Sequence, residues 1–103
     1  MLLARDVPFA MKLTIIRVNN KSSDEPEVLA SIVLCRDKSN RPYYNQLKLM
    51  WDAAGWVHSK QLELINQGVD QRNFCLIISD VAGYRRPQWL FDRLKKTVGV
   101  TVL

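Results

Sequence analysis

From Lys12 to Val18 the chain alternates polar and apolar residues (KLTIIRV) with β-branched enrichment. That is the pattern of a half-buried strand, because successive side chains point to opposite faces. The ten residues before it, MLLARDVPFA, follow neither the helical nor the strand period. Residues 1–10 therefore read as a flexible N-terminal extension, and a single α/β domain is expected over 11–103, starting at Met11. Asn19 to Pro26 (NNKSSDEP) is a polar loop. The run Val28 to Cys35 (VLASIVLC) is apolar on both faces and reads as a buried strand, paired with the first in a hairpin.

Arg36 to Arg41 (RDKSNR) forms a second polar loop, and Pro42 follows where the first turn of a helix tolerates a residue without an N–H. In Tyr43 to Ala54, residues Tyr43, Leu47, Met50 and Ala54 fall on one stripe, flanked by Tyr44 and Trp51. Gly55 then stands where a left-handed cap would end the helix. Trp56 to Gln67 admits two readings. It is a second short helix, capped by Ser59 and closed by Gly68, or a strand alternating through Trp56, His58, Lys60, Leu62 and Leu64. The helix is preferred, because the strand would put His58 and Lys60 on one face with two leucines. Phe74 to Ile78 (FCLII) has the pattern of a central strand covered on both faces. A loop from Val81 to Arg86 is closed by Pro87. The next helix, Gln88 to Val98, would bury Leu90, Phe91, Leu94 and Val98 and expose Arg93, Lys95 and Lys96, whose charges complement the helix dipole. Gly99 ends it, and Val100 to Leu103 reads as a last short strand. The order β-β-α-(α or β)-β-α-β implies a small two-layer α/β (α+β) sandwich with a mixed sheet of four or five strands and two or three helices. If Trp56 to Leu64 is a strand, the part from Val28 onward becomes a ferredoxin-like βαββαβ split unit.

The 103 residues are 48% apolar and 24% charged, which excludes a disordered or low-complexity chain and suits one folded domain. Fifteen Lys and Arg against ten Asp and Glu give a formal net charge of +5. The excess lies late: residues 1–35 hold four basic and four acidic groups, residues 36–72 six and four, and residues 73–103 five and two. Such a balance favours anionic partners or, more plainly, solubility. Cys35 and Cys75 each sit in an apolar run and read as small buried hydrophobes in a reducing compartment. No window approaches the about 18 apolar residues of a membrane span. No membrane partner is expected, and a cytoplasmic location is.

Chemistry concentrates at Ser79 to Trp89 (SDVAGYRRPQW), a loop leaving the most buried strand and entering a helix. Ligands of open α/β sheets collect at such places. Arg85 and Arg86 supply guanidinium forks, and Tyr84 and Trp89 supply stacking planes, the mixture that binds phosphates and unpaired bases. The plainer reading has Asp80 capping the loop, the rings in the core and the arginines solvated. A second basic and aromatic cluster, Arg36, Lys38, Arg41, Tyr43, Tyr44 and Lys48, surrounds the loop before the first helix. On one edge of the sheet the two would make a single positive groove. The stretch Leu76 to Asp80, then Arg85-Arg86, then Leu90 to Lys96 resembles the opening strand and helix of the small CRISPR-associated ferredoxin-fold proteins. The likeness is a shared strand–loop–helix pattern and implies no activity.

No catalytic residue stands out. His58 is the only histidine and no motif marks Ser59 or a cysteine as a nucleophile. Isolated glycines exclude a phosphate-binding loop, no metal-ligand spacing is present, and no cofactor is expected. The function expected is a non-enzymatic module binding nucleic acid or an acidic protein surface through Arg85, Arg86, Tyr84, Trp89, Arg36, Lys38, Arg41 and Lys48. The alternative is a protein-binding adaptor or inhibitor anchored by Trp56, Tyr84 and Trp89, including a homodimer paired through an edge strand. A metal-dependent nuclease using Asp80 ranks third.

Overall fold

The computed structural model describes residues 8–18, 26–36, 42–86 and 88–103. Among these residues four strands and two helices follow in the order β1 (Phe9–Arg17), β2 (Glu27–Arg36), α1 (Pro42–Asn66), β3 (Phe74–Ser79), α2 (Gln88–Thr97) and β4 (Thr101–Val102), with a 3-10 turn at Gln71–Asn73. It is a small α+β domain with a mixed four-stranded sheet of order β2-β1-β3-β4. β1 pairs antiparallel with both β2 and β3, and β3 pairs parallel with β4.

β1 begins at Phe9, two residues ahead of the expected start at Met11, and both Phe9 and Ala10 are buried. Its odd-numbered residues Phe9, Met11, Leu13 and Ile15 join Phe74 and Leu76 of β3 in one apolar cluster with Leu49, Met50, Ala53, Val57 and Leu64 of α1 and Leu90, Phe91 and Leu94 of α2. Both helices therefore cover the same face of the sheet. The other face carries Lys12 between Val33 and Ser79, and Thr14 between Ser31 and Ile77.

This one-sided cover corrects the expectation for Val28 to Cys35. β2 is an edge strand, none of its residues is fully buried, and Val28 and Val33 are exposed because neither described helix lies over their face. Neither cysteine is fully buried: Cys35 is exposed and Cys75 half-buried. They flank β1 at Ala10 and at Ile16. Six residues of strand hold them about 20 Å apart, beyond the reach of a disulfide.

The largest correction concerns Gly55. The two segments expected on either side of it are one helix of 25 residues. The buried positions Leu49, Met50, Ala53, Val57 and Leu64 keep a spacing of three, four and seven across the glycine, so one face stays in register with the sheet. A glycine in a helix interior costs about 1 kcal/mol relative to alanine, whereas burying Val57 and Leu64 stabilises by about 1.5–3 kcal/mol each. Burial prevails. The strand over Trp56 to Leu64 does not form, and with it goes the ferredoxin-like split unit. The stripe is also turned from the expected one: Leu47 and Ala54 are only half-buried, and Trp51 faces solvent. The helix ends where Gly68 was expected to close it. Gly68 takes a φ of 92°, and its N–H donates to Ile65 O at 2.9 Å while that of Val69 donates to Leu64 O at 3.0 Å. This is the Schellman pairing that satisfies the last carbonyls.

α2 buries Leu90, Phe91 and Leu94 and carries Lys95 and Lys96 in its last turn, as its periodicity implies, with Val98 half-buried just beyond.

Gly55 has no positive φ and nothing lies within 4 Å of the Cβ it would gain. Gly55→Ala is therefore expected to raise stability by about 1 kcal/mol in urea denaturation at dilute protein. A glycine cap between two helices would give the opposite sign.

Candidate functional site

Three chain segments converge at the N-terminal end of β1. Phe9 pairs with Arg36, the last residue of β2, on one side and forms an isolated parallel bridge with Arg85 on the other. The bridge is held by the Arg85 N–H donating to Pro8 O at 2.8 Å and the Ala10 N–H donating to Arg85 O at 3.4 Å. Arg36 and Arg85 thus lie two strand spacings, about 10 Å, apart across one sheet end. The loop from Asp80 to Arg86 reaches this place through a turn at Val81 to Tyr84, closed by the Tyr84 N–H donating to Val81 O at 3.1 Å. Gly83, with φ of 84°, occupies the turn position that demands a left-handed backbone.

Each guanidinium here has a definite environment. Arg85 lies over the Phe9 ring at 5.2 Å and Arg86 over the Phe91 ring at 4.4 Å, so the two arginines roof the end of the core. Arg86 also faces the Asp80 carboxylate at 3.5 Å, and Arg36 pairs with Asp52 of α1. Among the described residues Arg85 has no carboxylate partner, which leaves its charge the least compensated of the three. Tyr84 is exposed beside it. Trp89 is partly exposed, and its indole N–H donates to the Gln46 side-chain oxygen, tying the first turn of α2 to the second turn of α1. Arg36 Nε is buried without a partner among the described residues.

The structure thus brings Arg36 to Tyr84, Arg85 and Arg86 of the other cluster at the Phe9 end, while Trp89, three residues further on, reaches Gln46 of α1. It does not bring Lys48 to them. Gln46, which meets α2, and Lys48 are two residues apart on α1, close to opposite sides of a helix with 3.6 residues per turn. Lys48 instead sits over the rings of Tyr44 and Trp51 at 5.3 and 5.6 Å. Lys38, Arg41 and the side chain of Tyr43 lie outside the described residues. Trp56, considered as a surface anchor, packs against the core. His58 is exposed on α1. Asp80 faces Arg86, and among the described residues no three His, Cys, Asp or Glu side chains gather as a metal site. Phe9 and Asp52 were not singled out from sequence. Phe9 had no strand pattern around it, and Asp52 becomes relevant only through a pair with a residue sixteen positions away.

Compared with models of known protein families, with curated proteins and with solved structures, the chain matches none. Among the described residues no helix is long and apolar enough to cross a membrane.

At the opposite end of the sheet an open cleft of about 470 Å³ is lined by Val18, Asp70, Arg72, Asn73 and Cys75. Its polar lip is a local device rather than a ligand site. Asp70 accepts from the Arg72 backbone N–H at 2.9 Å, capping the 3-10 turn, and pairs with the Arg72 guanidinium at 2.8 Å. The Arg72 side-chain hydrogen bonds, then its backbone one, hold the Asp70 carboxyl at about 2, below its ordinary 3.8. A folded-state value below the unfolded one contributes stability above about pH 4 that is lost as pH falls towards 2. The pair is on the surface, so the effect is small and screened by salt. Carboxyl-carbon NMR is expected to place the Asp70 midpoint near 2 in the native protein and nearer 3.8 in Arg72→Ala.

Proposed function

We propose that the sheet end around Phe9 is a binding surface for single-stranded nucleic acid. The observation that carries this is the placement of Arg36 and Arg85 on either side of Phe9, which sets the two basic segments side by side on one edge. Arg85 stacks on an aromatic ring by one face of its guanidinium, leaving N–H groups at the rim to donate to a phosphate. Tyr84 and Trp89 offer planes on which unpaired bases stack, each worth about 1–3 kcal/mol. The net charge of +5 raises the local concentration of a polyanion and speeds encounter. Arg36 and Arg86, each beside a carboxylate, contribute less than Arg85.

The readout is fluorescence anisotropy of a labelled single-stranded oligonucleotide. Three phosphate contacts give a log–log salt slope of about −2, hence about twentyfold weaker binding between 50 and 200 mM salt. Arg85→Ala should weaken binding more than Arg86→Ala, and Tyr84→Leu should weaken it without changing the slope. An acidic protein surface would need the same arginines but not the rings, so a Tyr84→Leu variant of unchanged affinity would favour that partner. No binding at low salt, or full binding by the Arg85→Ala, Arg86→Ala double variant, would overturn the proposal.

A further inference from the structure

The face of α1 that points away from the core is not the polar face such a helix normally presents. Tyr44, Lys48, Trp51, Gly55, His58, Leu62 and Ile65 follow one another at intervals of four and three throughout. They lie opposite the buried stripe of Leu49, Ala53, Val57 and Leu64, and Tyr44, Trp51, Leu62 and Ile65 are 50%, 61%, 51% and 39% exposed. A seam of positions recurring every 3.5 residues, here four of seven large and apolar, is the pattern with which one helix packs along another. Among the described residues these four large side chains stay substantially exposed. The Lys48 ammonium over the Tyr44 and Trp51 rings lets the lysine stem lie along the seam and holds the indole in place before any partner arrives.

The geometry points to a second copy of this chain as the occupant, with the two α1 seams packed antiparallel about a twofold axis near the middle of the helix. A twofold interface requires a surface complementary to itself, each contact occurring twice. In the antiparallel register that sets Lys48 opposite Ile65 of the second copy, Trp51 meets Leu62, and His58 meets Gly55. The largest exposed ring thus faces a large aliphatic side chain, and the imidazole enters the space that Gly55 leaves open, where nothing lies within 4 Å. Charge selects the same direction. Parallel helices in register set Lys48 against Lys48 and Trp51 against Trp51, whereas the antiparallel pair avoids both contacts. The seam is about 30 Å long at 1.5 Å per residue. Its four large side chains expose roughly 500 Å² per copy, more than half of the about 800 Å² per partner of a standard interface. Polar residues at the edges of the seam add to this, and the size is that of a small, reversible interface. The surface lies across α1 from Gln46, so it is independent of the nucleic-acid reading, and an antiparallel pair places the two Phe9 ends at opposite ends of the assembly.

Sedimentation of the whole chain from about 1 to 300 μM is expected to show a monomer–dimer equilibrium in this range. Trp51→Glu with Leu62→Glu should weaken it about a hundredfold or more. Circular dichroism and the melting temperature of dilute protein should change little, because both side chains lie outside the core and are more than half exposed in the monomer. In a Cys35→Ser, Cys75→Ser background, chains with Lys48→Cys should cross-link on oxidation to chains with Ile65→Cys and not to one another. A monomer at every concentration would overturn the proposal. So would a dimer that survives both glutamates, as pairing through the β2 edge would give, or cross-linking between Lys48→Cys chains.

Discussion

The burial of one face of β1 is the constraint from which the rest follows. Met11 and Leu13 are completely enclosed and Ile15 nearly so, and among the described strands β1 alone is hydrogen-bonded to neighbours that are both long. Because side chains alternate, that inner row determines which residues of β2 and β3 turn toward the helices and which toward solvent. It also determines where the ends of the strands meet. Arg36 and Arg85 are neighbours only because each is registered on Phe9. A shift of one residue would move Phe9 off the core face and separate the two basic segments.

Around Phe9 the same residues serve the core and the surface. The Phe9 and Phe91 rings close the end of the apolar cluster, and a guanidinium lies on each. Stacking of this kind restricts the arginine and lowers the entropy it would lose on meeting a ligand. Carboxylates divide the charge unevenly, since Asp80 and Asp52 face Arg86 and Arg36 while Arg85 faces none among the described residues. A tally of basic residues treats these three as equal; their surroundings do not.

α1 is a helix with two apolar faces. One is used within the chain, against β1, β2 and α2; the other carries the Trp51 ring in solvent. In sequence the two faces are interleaved, so Tyr44 and Trp51 look like the flanks of one core stripe, and only the position of the sheet shows which stripe is inside. Gly55 adds to the ambiguity. Its local preference is for a helix end, and that preference is outweighed by packing that begins at Leu49 and resumes at Val57.

What the sequence determined by itself is what short-range pattern encodes. The alternation from Lys12 to Val18, the apolar run at Phe74 to Ile78, the amphipathic α2 and the closing role of Gly68 are all legible, because each depends on spacing within one element. So is the basic and aromatic character of the Arg85 loop. The tertiary structure alone decided that β2 is an edge with an uncovered face, that Lys48 parts from the Phe9 end while Arg36 joins it, and that the helix continues through Gly55. Those outcomes depend on which surfaces meet across tens of residues. The free energy that selects them comes from buried area, and no local preference carries that information.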